Sequence, residues 1–110
     1  MNYVDVYGFG SFFNGNILFN DIDLLLVHND RSKESCILAI ECKRKLQNAL
    51  ENLHITMLSE QAERSFLFMR TAQAQHLGRV EELINSQGIE RILVSIRTRL
   101  DMHAHGGILN

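Results

Sequence analysis

Proline is absent from this chain of 110 residues, and cysteine is scarce, with only Cys36 and Cys42. Nothing about the fold follows from the missing proline. Two cysteines are too few for a disulfide framework or a four-ligand zinc site. Six positions apart on a predicted helix they do not share a face, which leaves two reduced thiols. Excess charge is missing too. A net charge of -2 gives none of the basic footprint of a nucleic-acid binder, although a local basic patch is compatible with it. No stretch approaches the roughly 20 apolar residues that span a bilayer. The opening MNYVDVYG has neither the basic start nor the long apolar region of a signal peptide. These absences argue against a disulfide scaffold, a zinc module and a membrane span, and they predict a cytoplasmic protein.

What is present suits one soluble domain. Apolar residues make up 45% and charged residues 22%, on a length sufficient for one core. The domain is expected over residues 1–102, with a tail at 103–110. Tyr3 to Tyr7 alternates as a strand does, and Gly8 and Gly10 allow a tight turn into SFFNGN. Asp21 to His28 reads as a second strand. Its alternating start gives way to Leu24-Leu25-Leu26-Val27, the continuous apolar run of a strand covered on both faces. From Ser35 to Leu50 the spacing predicts a helix. Ile37, Ile40, Leu46, Ala49 and Leu50 form its inner side, and Lys43, Arg44 and Lys45 its solvated one.

LHITML, from Leu53 to Leu58, predicts a third strand, and Ser59 with Glu63 nearby opens a further helix. SFLFMRTAQAQHLG, ending at Gly78, fits both a continued helix and a short pair of strands, so residues 59–78 stay open. RVEELINSQG reads as a helix closed by Gly88 at its C-cap. A last helix follows, with Ile89, Ile92, Leu93, Ile96 and Leu100 on one side. HAHGGILN is read as the tail. The order of elements predicts an α/β (α+β) domain, a small mixed β-sheet with helices packed on it.

Asp21 and Asp23 stand at the head of the most apolar strand. An unpaired carboxylate is costly to bury, and two close together repel unless something positive lies between them. The pair therefore marks either a solvated strand end or a cation site. Strand alternation points both side chains the same way, with Ile22 directed into the core. Two hard oxygen donors suit Mg2+, which takes one or two carboxylates and completes its shell with substrate phosphates. Upstream, the turn at Gly10-Ser11 lets backbone N–H groups approach an anion, and the serine hydroxyl adds a donor. Each half alone is a common pattern. Together, on a strand-turn-strand, they describe a nucleoside-triphosphate site.

GSFFNGNILFNDIDLLLV, from Gly10 to Val27, resembles the G-S…D-x-D signature of the polymerase-β-like nucleotidyltransferase superfamily. It is most similar to the small bacterial members, the minimal nucleotidyltransferases. Gly10-Ser11 matches the Gly-Ser, Gly15 a glycine of the intervening loop, and Asp21-Ile22-Asp23 the metal-binding pair. The resemblance implies a nucleotidyltransferase fold. It implies two Mg2+ ions held by Asp21 and Asp23, and a nucleoside triphosphate, ATP as first choice, gripped at Gly10 and Ser11. A nucleoside monophosphate would pass to a hydroxyl of a protein or RNA, with pyrophosphate leaving. Such proteins often pair with a HEPN-type toxin and silence it, so an antitoxin role in a toxin–antitoxin pair is implied as well. The other implied partners are an RNA acceptor and, as a homo-oligomer, a second copy of the chain.

The resemblance also implies a third carboxylate on the strand after the helix, and there the chain departs from it. His54 holds the matching position. A neutral imidazole can take a proton or bind a metal, but it is a softer ligand than Mg2+ prefers. Glu60 and Glu63 would substitute only if the backbone folds back. A catalytically degenerate fold that binds a nucleotide or a partner is thus the alternative. The first strand lies close to residue 1, so its sheet face is expected to be covered by the C-terminal helices or a partner chain. Phe12, Phe13 and Phe19 are read first as packing residues and only second as a stacking surface for a base. His103 and His105 have the pattern of a transition-metal grip, but a tail is the simpler reading.

Overall fold

Leu24, Leu25 and Leu26 are all 0% exposed, as a strand buried on both faces requires. They lie at the centre of a computed structural model that describes residues 2–15, 21–81 and 87–106. Strand β1 (Val4–Phe9) pairs antiparallel with β2 (Ile22–His28), and β3 (Leu53–Ser59) lies parallel to β2. A fourth strand, β4 (Gln75–Val80), runs antiparallel to β1 and gives the order β3-β2-β1-β4. Five helices accompany the sheet among the described residues: α1 (Gly10–Phe13), α2 (Lys33–Ala49), α3 (Glu60–Phe66), α4 (Phe68–Ala72) and α5 (Gln87–Gly106). The architecture is α+β, with a mixed sheet.

A parallel neighbour cannot be reached by a hairpin, and α2 supplies the crossover from β2 to β3. Ser32 caps its first turn by accepting from the Ser35 amide, and Ser59 caps α3 by accepting from Ala62. Ile22, Leu24 and Leu26 join Val4, Val6 and Val80 in one apolar layer. Ala39, Cys42 and Leu46 of α2 and Ile89, Ile92, Leu93 and Ile96 of α5 close it. The C-terminal helix therefore helps to cover this face. Burial pushes the Cys42 thiol up to about 12, so it behaves as a small apolar residue. Val27 lies on the other face with Asp5 and Tyr7, beneath α3 and α4.

Four expectations need correction. On α2 the buried stripe is Ser35, Ala39, Cys42 and Leu46, while Ile37 and Ile40 remain 48% and 45% exposed and Ala49 is also exposed. Small side chains let the helix axis approach the sheet, which turns the isoleucines outward. Arg79 and Val80 belong to β4, not to a helix. Residues 82–86 of that expected helix lie outside the described residues. Gly88 is no C-cap. It lies in the first turn of α5, where a Cβ would stand 2.4 Å from the Arg79 carbonyl oxygen, so β4 and α5 meet backbone to backbone. Finally, α5 continues to Gly106, so His103 is helical and not the start of a tail. Its ring stacks on Phe12 at 4.7 Å, and its Nε2 lies 3.1 Å from the Phe12 carbonyl oxygen.

The open region 59–78 resolves into α3, a break at Leu67 in the left-handed conformation, α4 and then β4. What pins β4 is a long-range ion pair. Arg79 donates to both oxygens of Asp5, at 3.0 and 2.9 Å, and His76 lies 3.0 Å from the same carboxylate. The Arg79 guanidinium also sits 3.8 Å over the Tyr3 ring. Asp5 is nearly buried and Arg79 half in solvent, so losing the arginine strands a carboxylate. Burial pushes the Asp5 carboxyl up, but the hydrogen bonds from Arg79 and His76 outweigh it and hold the group below its ordinary value. A value lowered by folding contributes stability above the unfolded-chain pKa of about 3.9, lost as pH falls through the folded value. Arg79→Met is therefore expected to cost about 1–3 kcal/mol in urea unfolding at pH 7. The cost should shrink below about pH 3. Equal losses at both pH values would show that the pair does not act through the Asp5 charge.

Candidate functional site

Three segments converge at one end of β2. The β1–β2 pairing puts Phe9 opposite Asp23, so the chain turns through Gly10 beside that carboxylate. Gly10 has φ +79°, a left-handed conformation that glycine adopts without strain. A Cβ there would lie 2.5 Å from Oδ2 of Asp23. Ser11 follows in the half-buried first turn of α1. From the other side the parallel β2–β3 register sets His54 next to Asp23, with Nδ1 3.3 Å from Oδ1. The imidazole is 70% exposed and the Asp23 side chain 25%, so the pair is open to solvent.

Gly10, Asp23 and His54 are thus brought together by backbone register. Asp21 is not brought in to the same degree. It precedes β2 and is exposed, at the point where the Ile22 amide donates to the Asn52 carbonyl at 2.9 Å. Ile22 points into the core, as strand alternation requires. Among the described residues no group of three His, Cys, Asp or Glu side chains is placed to hold one metal ion. Of the expected ligand set, only the Asp23 carboxylate and the His54 imidazole are in contact.

Glu60 and Glu63 do not complete the set. The Glu60 carboxylate accepts from the Tyr3 hydroxyl, and Oε2 of the buried Glu63 accepts from the Met69 amide at 3.2 Å. Both line a cavity of about 260 Å3 with Asp5, Tyr7, Val27, Arg64 and Met69, on the sheet face that also carries Asp23. Neither Asp23 nor His54 lines this cavity, which lies toward the Val27 end of β2.

The aromatic residues divide in a way the sequence did not show. Phe12 and Phe13 are buried in the core, and Phe19 lies outside the described residues. Phe9 is half-buried opposite Asp23 and meets Phe68 of α4 edge to face, with ring centroids 5.1 Å apart. Phe68 sits in the segment whose pattern was ambiguous, and no local signal connected it with Phe9. Lys43, Arg44 and Lys45 are surface residues of α2; Arg44 is tied to Glu41 at 2.8 Å. His105 is on the last turn of α5.

Compared with protein-family models, with curated proteins and with solved structures, the chain matches none.

Gly10 and Gly15 separate the site from ordinary turn geometry. Both have positive φ, but nothing lies within 4 Å of a Cβ at Gly15. Gly15→Ala should cost only backbone strain, about 1 kcal/mol. Gly10→Ala adds a collision with Oδ2 of Asp23, the movable end of a partly exposed side chain, so its further cost in chemical unfolding is expected to be small. It should nevertheless displace the Asp23 and His54 side-chain signals in NMR spectra. Unmoved Asp23 and His54 signals would contradict the proximity of Gly10 to Asp23.

Proposed function

We propose that this protein binds a nucleoside triphosphate with a divalent cation at Gly10, Ser11, Asp21 and Asp23, and transfers its nucleoside monophosphate to a hydroxyl. The observation that carries the reading is the convergence of a positive-φ Gly10 with Asp23, on a sheet order that also delivers His54. An anion held close to the Gly10 backbone would lie beside the carboxylate that holds its cation. The bound cation would neutralise triphosphate charge and stabilise the leaving pyrophosphate. The chain's own part is positioning. A side chain at residue 10 would fill the approach, Ser11 offers a hydroxyl donor, and Asp23 is fixed by strands on both sides. Phe9 and Phe68 supply an apolar wall for a base, and ATP is the first substrate to test. In the transfer a bond forms between the acceptor oxygen and the α-phosphorus. The bond to pyrophosphate breaks, and the acceptor's proton is released to solvent.

A second reading is favoured by one observation: the residue beside Asp23 on β3 is His54 and not a carboxylate, and neither Glu60 nor Glu63 replaces it. On this reading the same residues bind the nucleotide without turnover, and the fold serves as a nucleotide- or partner-binding module.

Each labelled nucleoside triphosphate, incubated with the protein and Mg2+ or Mn2+ and with candidate protein or RNA acceptors, distinguishes the two. Transfer is expected for one base, falling by more than about 100-fold in Asp23→Asn, since loss of supporting partners around a metal already costs 10–100-fold. Binding without pyrophosphate release, abolished in Asp23→Asn, would favour the module. Neither binding nor transfer would remove the nucleotide reading.

A further inference from the structure

The two edges of the sheet are not equally guarded. An edge strand offers unpaired N–H and C=O groups, and proteins protect it with charge, proline, a bulge or short length. β4 follows that rule: its register against β1 is interrupted between Val6 and Tyr7, and it carries Arg79. β3 does not. Its sequence, LHITMLS, holds no proline, lysine, arginine or acidic residue. Its register with β2 runs unbroken from Ile22–Leu53 to His28–Ser59. Among the described residues no strand pairs with its outer side. Leu53, Ile55, Met57 and Leu58 are only half-buried, whereas Leu24, Leu25 and Leu26 beside them on β2 are fully buried. We propose that the outer edge of β3 is a homodimer interface, where a second copy of the chain adds its own β3 antiparallel and the two sheets become one. The inference is independent of the nucleotide reading.

The ladder defines the register. The Ile22 amide donates to the Asn52 carbonyl, and Ile22 lies opposite Leu53. Parallel pairing therefore turns the backbone groups of Asn52, His54, Thr56 and Leu58 toward β2, and those of Leu53, Ile55, Met57 and Ser59 outward. A two-fold axis at Thr56 matches outward groups along the whole strand: Ile55 with Met57 of the second copy, and Leu53 with Ser59. No charged group faces another. Thr56 faces Thr56 of the second copy, a favourable cross-strand pair. Leu53, Ile55 and Met57 pack against the core, so the Ile55–Met57 pairs carry the apolar layer from one copy into the next. On the opposite face, Leu58 of the second copy lies beside His54.

A strand ladder alone is small against the roughly 800 Å2 per partner of a standard interface. The helix α2 adds to it. Gln47 lines a cavity with Leu53, so this flank of α2 stands over the start of β3. Ile40, two turns earlier on the same flank, is 45% exposed, and Ile37, nearly a turn before that, is 48% exposed. An extended peptide on the β3 edge would leave both isoleucines in water. A second copy brings its own α2 to the same side of the joined sheet, because a two-fold axis normal to the sheet preserves its faces.

Sedimentation equilibrium of the full chain at micromolar concentration, read together with amide hydrogen exchange, tests the inference. A dimer is expected, with slow exchange at the Ile55 and Met57 amides that becomes fast on dilution to monomer. The Thr56 and Leu58 amides, bonded to β2, should stay slow throughout. Ile40→Lys should weaken the dimer at least tenfold, while Val94→Lys, on the exposed side of α5, should leave it unchanged. Met57→Pro removes an outward N–H and spares the bonds to β2, so a monomer with the parent's circular dichroism is expected. If that variant does not fold, exchange in the parent and Ile40→Lys still decide. A monomeric parent overturns the inference, whether or not the Ile55 and Met57 amides are protected. So does a dimer in which those two amides exchange as open groups, since the copies would then meet through another surface.

Discussion

The position of β2 between an antiparallel and a parallel neighbour is the constraint on which the candidate site depends. A strand covered on both faces must be apolar, and Leu24, Leu25 and Leu26 meet that demand completely. Such a strand can carry charge only where the cover ends. Asp23 stands at that point, two pairs beyond Tyr7 and Leu25, with Phe9 on one side and His54 on the other. Sliding either register by one residue would turn the neighbour's side chain to the opposite face. The juxtaposition is therefore as rigid as the hydrogen-bonded ladder itself, which is what the proposed nucleotide site would need.

The second sheet face differs in character from the first. One face is closed by α2 and α5 over an apolar layer. The other is partly polar, with Asp5 joined to Arg79 and His76 and with Tyr3 joined to Glu60. The partners of Asp5 and Tyr3 in that network come from distant parts of the sequence and tie β4 and α3 to the first strand and the residue before it. The same satisfaction of partners removes Glu60 and Glu63 from candidacy as ligands. It leaves His54 and Asp23, tied to each other by a long contact only, as the exposed pair on that face.

Much of this was legible along the chain because local periodicity reports local burial. The existence and order of β1, β2 and β3 and the inner side of α5 follow from spacing and from the apolar run, while β1 runs two residues beyond its expected end at Tyr7, to Phe9. The nearness of Gly10 to Asp23 follows from the same strand-turn-strand pattern. What was not legible depends on contacts between remote residues. β4 reads Gln75-His76-Leu77-Gly78-Arg79-Val80, with little β propensity, and is held by Asp5 more than 70 residues away. The α2 stripe departs from the apolar periodicity because the closest packing uses Ser35, Ala39 and Cys42 and leaves larger apolar residues outside. The pairing of Phe9 with Phe68 and the unequal placement of Asp21 and Asp23 likewise depend on where strands begin and which register they adopt.

The central claim is that a triphosphate and its cation sit between the Gly10 turn and the Asp23–His54 pair. Paramagnetic broadening of backbone amide signals by Mn2+–ATP tests it most directly. The account predicts that broadening centres on Gly10, Ser11, Asp23 and His54, fades along β2 toward His28, and disappears with Asp23→Asn. Broadening centred on α5 or on the Lys43–Lys45 surface, or none at all, would contradict it.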